Sequence, residues 1–576
     1  MYKQEFESSK HTLLLREQID AYVQKVIHKS IPRVPFSGYL EFIDSGSRAA
    51  SEKGYFERRK SLAAMGLFLQ YQTPSHSDYK RVIQYFEELL WEIANEATWC
   101  VAAHLSKEKN SFFNEAAEQI DLFAAETGAA LAEIVSIHRN KLHPLLIDYI
   151  RHEIKRRILK PYMEKTWWWE SVQSNWCAVC CGCIGMSTLL IEEEESKGVL
   201  LYKVDQGLVH YLEGFKEDGA CEEGIGYWVY GFGYYIYYTA LRKELDKDYS
   251  ISASLKEKIK KIGEFPSLVQ MDMNAFVPFS DVPARTIIPT GLLSYLKNEF
   301  GVDTPAVTEI TPFDFDHAYR FAHISRNLWW TQDKIFHQNI KDETVYLSNR
   351  QWLLQRNGGC FAGIKGGNND EQHNHNDAGN FVLAIGGEQF IADLGAGIYT
   401  ADYFGEKRYE FVHTRSKYHN LPLINNKEQI ATGAECQVEE VSVDSECADI
   451  TMELKRMYPL PELNSYKRTI HLNMTKGTLE LKDIFEAEED IIIEESFISY
   501  IKPVMPGNGE LIFYGEKGML ILSFEADLFA YTLEEILLEN HYGEKLWAYR
   551  VSLLMKEKKQ RASLEFKFIL DKIYEK

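Results

Sequence analysis

The chain has 576 residues, 45% of them hydrophobic and 26% charged, which suits a folded protein with two or more buried cores and excludes a disordered one. Its formal net charge of -21 at pH 7 argues against general nucleic-acid binding. That charge sets only the far field, so a cleft with a few cationic side chains still accepts an acidic small molecule.

The opening MYKQEFESSKHTLLLREQIDAYV carries charges throughout and no apolar core ending in small residues. It reads as neither a secretory signal nor a membrane span. Apolar residues then recur at helical spacing in YKRVIQYFEELLWEIANEA, FFNEAAEQIDLFAAETGAALAEIVSIHR and PLLIDYIRHEIKRRILKPYM, and the pattern continues over 175–191, 198–215 and 227–245. No strand pattern interrupts these, so residues 1–300 are expected to be all-α, with paired helices in layers or a ring. Residues 301–343, with DFDHAYRFAHISRN, read as a connecting segment with one helix. From 344 to 576 the period is two, as in TVYLSNRQWLLQR, GNFVLAIGGEQFIADLG and SYKRTIHLNMTKGTLELKDIF, with turn signals at Gly386-Gly387, Lys476-Gly477 and Lys517-Gly518. These predict antiparallel hairpins building a sandwich. Without a low-complexity linker, the two halves are expected to pack together with a site at their interface.

Nine cysteines, an odd number, include Cys177, Cys180, Cys181 and Cys183 within one helix, and this usage points to a reducing compartment, the cytoplasm. Cys180 and Cys181 are adjacent and cannot share a helix face, and no second Cys-x-x-Cys complements them, so all four read as small core residues.

Three clusters carry candidate chemistry. Gly366-Gly-Asn-Asn-Asp-Glu-Gln-His373-Asn-His375-Asn-Asp377 leads into a hairpin that ends at Asp393. An antiparallel return brings His375 and Asp393 together, and His419 supplies a third ligand for a zinc site. For His-x-His alone, mutual hydrogen bonding beneath a loop is an equal alternative. Glu222-Glu223-Gly-Ile-Gly-Tyr227-Trp228-Val-Tyr230-Gly-Phe-Gly-Tyr234 opens a helix with tyrosines on several faces. A phenol among polar neighbours gives or takes a proton, although core packing with hydroxyls at the surface is the commoner reason for such tyrosines. Asn175-Trp176 starts another helix, where Asn175 is either an N-cap or a carboxylate-binding amide. Weaker candidates are Glu96, His104 and Arg139. There is no phosphate loop and no dinucleotide fingerprint after a strand, so no nucleotide cofactor is expected.

Taken in order, Asn-Trp, Glu-Gly-x-x-Tyr-Trp-x-Tyr-Gly, His-x-His-x-Asp-Ala-Gly-x-Phe, Ala-Asp-x-Gly and a later His-Asn resemble the heparinase II/III group of polysaccharide lyases across nearly the whole chain. The resemblance implies an α + β multidomain protein, an N-terminal (α/α) toroid followed by a C-terminal antiparallel β-sandwich. It implies β-elimination on a uronic acid of an acidic oligosaccharide, with Asn175 on the carboxylate, Tyr230 as acid and base, and His373 assisting. His375, Asp393 and His419 match the ligands of a structural zinc in that group. Trp176, Glu223, Tyr227, Tyr234 and Arg139 are then expected to line the substrate groove. Many members carry a histidine where Trp176 stands, which would leave Tyr230 with more of the proton transfer. The alternatives are a glycoside hydrolase on the same toroid, using carboxylates among Glu96, Glu126 and Glu223, or an inactive carbohydrate-binding relative. No nucleic-acid or membrane partner is expected, and a homo-oligomer is compatible with all of this.

Overall fold

Two kinds of helix make up the first of two compact units in the computed structural model, which describes residues 9–105, 116–283, 285–400, 402–431 and 433–572. Ala49–Tyr71, Leu122–Ile137 and Asn175–Ile191 are buried on nearly every face, as their runs of Ala, Gly, Cys and Leu require. Lys10–Val26 and Tyr79–Ala94 instead bury one stripe each, through Leu15, Ile19 and Val23 in the former and Val82, Phe86, Leu89 and Ile93 in the latter. The first kind forms the inner layer of an α/α toroid, and the second kind covers it. Within the inner layer Leu122–Ile137 packs on Asn175–Ile191, which packs in turn on Gly233–Leu245. Close approach is possible because a Cβ at Gly182 would lie only 2.9 Å from the Tyr234 carbonyl oxygen.

Phe321–Trp330 closes the ring by packing on Ala49–Tyr71 and on Lys10–Val26. Its Arg326 forks onto Glu133 at 2.6 and 2.7 Å, with both side chains buried. The helix expected within the connecting segment is therefore part of the toroid unit, which comprises Met1–Phe215, Tyr227–Lys260 and Ile287–Gln338.

The second unit takes Asn339–Lys576 together with two pieces of the N-terminal half, Lys216–Gly226 and Lys261–Thr286. The expectation that no strand interrupts the first 300 residues needs correcting, because Gln270–Asp272 pairs antiparallel with Ala275–Phe276. Strands of two and three residues are too short to register a period of two. Arg356 fastens this piece to the sheets by donating to the Gln270 and Ser267 carbonyls.

Three antiparallel sheets build the rest. Five strands, Glu343–Leu347, Trp352–Asn357, Cys360–Lys365, Phe381–Ile385 and Glu388–Ile391, run as a meander in sequence order. The Gly386-Gly387 turn between the last two has φ of 52° and 77°, the double positive φ that a two-residue hairpin demands. A four-stranded sheet, Phe529–Glu539, Lys545–Met555, Ile493–Ser499 and Leu423–Ile424, extends this layer, since the Ala392 N–H donates to the Ile498 carbonyl at 2.8 Å. Opposite them lies an eight-stranded sheet that contains Leu463–Asn473, Thr478–Ile491 and Lys559–Lys572. Phe381, Phe497 and Phe568, one from each sheet, meet in a common core with the Phe568 ring 5.5 and 5.3 Å from the other two. This unit is the expected β-sandwich.

Inside that core Arg468 donates to Asp483 at 2.9 and 2.7 Å and to the carbonyls of Gly379 and Asn420, all out of water. Burial and the Asp483 charge push the neighbouring Glu495 carboxyl well above the usual carboxylate range, so it is held protonated. Arg468→Met is therefore expected to cost about 3–5 kcal/mol in urea unfolding, because Asp483 loses the cation that balances its buried charge. Glu495→Gln should cost less than about 1 kcal/mol, since an amide mimics a protonated carboxyl. Equal losses in the two variants would contradict this assignment.

Candidate functional site

Each unit holds one constellation, and each is described within its own unit. In the toroid the chain enters Gly233–Leu245 through a single π-helical turn, Trp228–Phe232, with Tyr230 at its centre. Such turns concentrate at functional sites because the extra residue re-aims side chains. Asn175–Ile191 packs directly on this turn, and a Cβ at Gly231 would lie 3.1 Å from the Asn175 Cα. The structure thus packs Asn175 against Gly231, the residue that follows Tyr230. Ser174, not Asn175, is the helix N-cap, and Asn175 is buried in the first turn.

The Tyr230 ring carries the Arg320 guanidinium 4.0 Å from its centroid. Arg320 in turn donates to Glu126 at 2.8 Å and to Asp316 at 2.7 Å. The Tyr230 hydroxyl is buried in the field of Glu126 and Arg320, and no described group holds it in a well-formed hydrogen bond. Burial, followed by the Glu126 charge, drives the phenol well above its ordinary range, while Arg320 works the other way. The group is a neutral phenol set between the Glu126 carboxylate and the Arg320 guanidinium. A cavity of about 20 Å³ lies against its two charged neighbours, lined by Tyr55, Arg59, Phe123, Glu126, Tyr319 and Arg320 among others.

Tyr234 stacks edge-on to Tyr230 at 6.0 Å but is only 2% exposed, so it supports the site from behind. Tyr227 is half-buried at the end of the short turn Ile225–Tyr227. Trp176 packs against His104 and Trp168, each 4.9 Å away, and Trp168 is 60% exposed. His104 is fixed through Nδ1 to Asp121 at 2.7 Å. Arg139 stands apart. It is exposed just beyond Leu122–Ile137, 13 residues from Glu126 and thus about 20 Å along the helix axis. Of the carboxylates weighed for a hydrolase, Glu96 is forked by Arg59 at 2.6 and 2.8 Å and Glu126 is paired with Arg320. Neither is arranged as a free acid or base. The four helical cysteines are buried and unpaired, as core residues would be.

In the sandwich unit the hub is Asp281, which sequence reasoning passed over. Its Oδ1 accepts from His375 Nε2 at 3.1 Å and from the Tyr403 hydroxyl at 2.7 Å. Its Oδ2 accepts from His373 Nδ1 and from Arg408, both at 3.0 Å. Burial alone would raise this carboxyl, but the bonds from both histidines and the Arg408 charge hold it well below the ordinary range. His373 has φ of 57°, a left-handed conformation that costs a non-glycine residue, and its Nε2 lies 3.6 Å from Glu223.

Beside the hub, His375, Asp377, Asp393 and His419 are buried with ligand atoms all within 4.8 Å of one another, a group able to hold a metal ion. The donor set fits. His375 Nδ1 and one oxygen of Asp377 are buried without hydrogen-bond partners, as lone pairs kept for an ion would be. Asn380 donates to Asp393 at 2.8 Å, and Lys365 holds the other Asp377 oxygen at 2.6 Å. Asp377 lies two residues past His375, a spacing that could have placed it in the ligand set from sequence.

Residues 359–498 match the family model described as Heparinase II/III-like, C-terminal. The fold of the chain is similar to that of a mutant of heparan sulfate lyase HepC from Pedobacter heparinus, with a TM-score of 0.64 and 13% identity over 100% of this chain and 85% of that one. Heparinase III gives 0.63 and 11%, covering 99% and 93%, and a Paenibacillus xanthan lyase gives 0.58 and 11%, covering 100% and 59%. No curated protein matches by sequence search. Among the described residues, no helix is long and apolar enough to cross a membrane.

The toroid site also carries a pH signature. His323 receives the Tyr237 hydroxyl at 2.8 Å and, through burial and then the Arg320 charge, is pushed down to about 3 from 6.5. His138 is likewise pushed down to about 4 by burial. Below 6.5 the unfolded chain takes up protons that the folded chain refuses. Stability should thus fall by about 1.4 kcal/mol per pH unit for each group until the folded value is reached. His323→Gln should show a shallower fall in its urea midpoint between about pH 6 and 4 than the unaltered protein. Identical slopes would mean that His323 is already charged when folded.

Proposed function

We propose that the protein is a polysaccharide lyase that cleaves uronic-acid-containing oligosaccharides by β-elimination. The observation that carries this reading is the buried Tyr230 hydroxyl on its π-helical turn, set against Arg320, with Asn175 packed on the same turn, on a fold shared with lyases of acidic glycans. The reaction removes the proton at C5 of the uronate and expels the oxygen at C4. C5 is acidic only when its carboxylate is neutralised, and an Asn175 amide bonded to that carboxylate stabilises the charge that develops there. Tyr230 is a neutral phenol in the resting protein and acts from its phenolate form: the phenolate takes the proton at C5, the electron pair left there expels the C4 oxygen, and the phenol just formed gives that proton to the departing oxygen, which restores the phenolate. Arg320 is suited to holding the phenolate because it lies over the ring while its own charge is balanced by Glu126 and Asp316. Trp176 and Trp168 offer ring faces on which a sugar can stack. His373 is the additional proton-transfer group of this reading.

We take the ion at His375, Asp393 and His419, with Asp377, to be zinc in a structural role, because two imidazoles with carboxylates suit that ion. When bound it would cross-link the segments that carry these residues. Nine cysteines without a disulfide fit a reducing compartment.

Incubation with uronic-acid oligosaccharides should generate the ultraviolet absorbance of an unsaturated uronyl product. Tyr230→Phe should lower kcat by at least about 10²-fold and Asn175→Ala by about 10²–10³-fold, each with its fold intact. Because the phenol sits high, the rate should climb with pH through the alkaline range without levelling at pH 10, as the phenolate fraction grows. Saturated products with new reducing ends would instead mark a hydrolase, and tight binding without turnover a carbohydrate-binding protein. His375→Ala should lose zinc, measured by elemental analysis, while helical circular dichroism is retained. Equal zinc content in that variant would refute the assigned ligand.

A further inference from the structure

We propose that Asp281 is a positioning residue that couples the metal group to the catalytic loop, one carboxylate oxygen setting His375 for the ion and the other setting His373 for the substrate. Asp281, His373, His375 and Tyr403 all belong to the sandwich unit, and the Asp281 side chain is completely buried.

The argument is one of tautomers. A neutral imidazole has one N–H and one lone pair, so whichever nitrogen donates decides which nitrogen is left to act. His375 gives its Nε2–H to Asp281, which leaves Nδ1, the buried nitrogen without a partner, to face the ion. A carboxylate behind a ligating imidazole fixes the ring and raises its basicity. His419 reaches the same arrangement by another route, with Nε2 on the His413 carbonyl at 3.2 Å and Nδ1 turned toward Asp393 at 3.4 Å. His373 has the opposite orientation. It gives Nδ1–H to Asp281 and turns Nε2 toward Glu223 at 3.6 Å, with 18% of its side chain exposed.

Nothing but a carboxylate can do both, because it accepts on two oxygens at once, whereas an amide accepts on one and donates from the other. Tyr403 and Arg408 complete the shell, and Arg408 also donates to the Asn374 carbonyl at 2.8 Å, tying the residue between the two histidines to the same hub. Two residues apart on a strained loop, His373 and His375 are held by one anchor. The fixed ring of the first is therefore the counterpart of the liganded ring of the second. The link to His373 as a substrate-facing group rests on the lyase reading, whereas the link to the ion does not.

The test uses the full chain with isotopically labelled histidine, loaded with an NMR-active cadmium isotope in place of zinc. Cadmium should couple to Nδ1 of His375 and Nδ1 of His419, and the His373 proton should sit on Nδ1. In Asp281→Asn, cadmium affinity measured by chelator competition should fall about 10–100-fold and the His373 tautomer should become mixed. Tyr403→Phe, which removes one donor from Asp281 but leaves both histidine bonds, should keep both tautomers and change affinity less than about threefold. Cadmium coupling through Nε2 of His375, a His373 proton on Nε2, or no cadmium uptake would overturn the proposal in the unaltered protein, even if Asp281→Asn fails to fold. Unchanged affinity and tautomers in a folded Asp281→Asn would do the same. A protein that eliminates no uronate oligosaccharide yet shows these tautomers would sink the lyase reading and leave the coupling of Asp281 to the ion standing.

Discussion

A charge taken out of water must be met by its complement, and this constraint shapes both units. In the toroid Arg326 meets Glu133, Arg59 meets Glu96, and Arg320 meets Glu126 and Asp316. In the sandwich Arg468 meets Asp483, Lys365 meets Asp377, and Asp281 meets two histidines, a tyrosine and an arginine. Leaving any of these carboxylates alone would cost several kcal/mol, so the elements that carry the partners are fixed relative to each other within their unit.

That constraint is also what makes the functional groups usable. Tyr230 has a cation over its ring only because Arg320 is already neutralised by two carboxylates, which let it stay buried without seeking the phenol as an ion partner. The metal group follows the same logic. Asp281 takes the Nε2–H of His375, Asn380 donates to Asp393 and Lys365 to one oxygen of Asp377, which leaves His375 Nδ1 and the other Asp377 oxygen without hydrogen-bond partners. Strain enters this loop at the positive φ of His373, and it is tolerated because the residues on either side are anchored, Gln372 through its N–H to Glu222 and Asn374 through its carbonyl to Arg408.

The division of the chain shows how far linear order differs from contact order. Lys216–Gly226 and Lys261–Thr286 leave the helical half to join the sandwich, and the second piece brings Asp281 with it. Helix Phe321–Trp330 goes the other way and closes the toroid. Each move follows from a polar anchor, Arg356 on the carbonyls near Gln270 in one case and Arg326 on Glu133 in the other.

By itself the sequence determined the class of each half, because helical spacing and alternation record burial on one face or two. It also showed the order of the motifs, placed Tyr230 on a helix entrance, and set His375 and Asp393 at the two ends of one hairpin with His419 as a third candidate ligand. Tertiary structure alone decided what surrounds those residues. Nothing in Phe-Ser-Asp281-Val-Pro marks an acid that two distant histidines share, and nothing in Ala-Tyr-Arg320-Phe says that this guanidinium lies over a tyrosine 90 residues away. Such partners are chosen by the geometry of packing, which has no period along the chain. The exposed Arg139 shows the reverse case. Sequence offered it as a weak groove-lining candidate, with a satisfied helix residue as the commoner outcome, and the fold leaves it exposed just past the end of Leu122–Ile137.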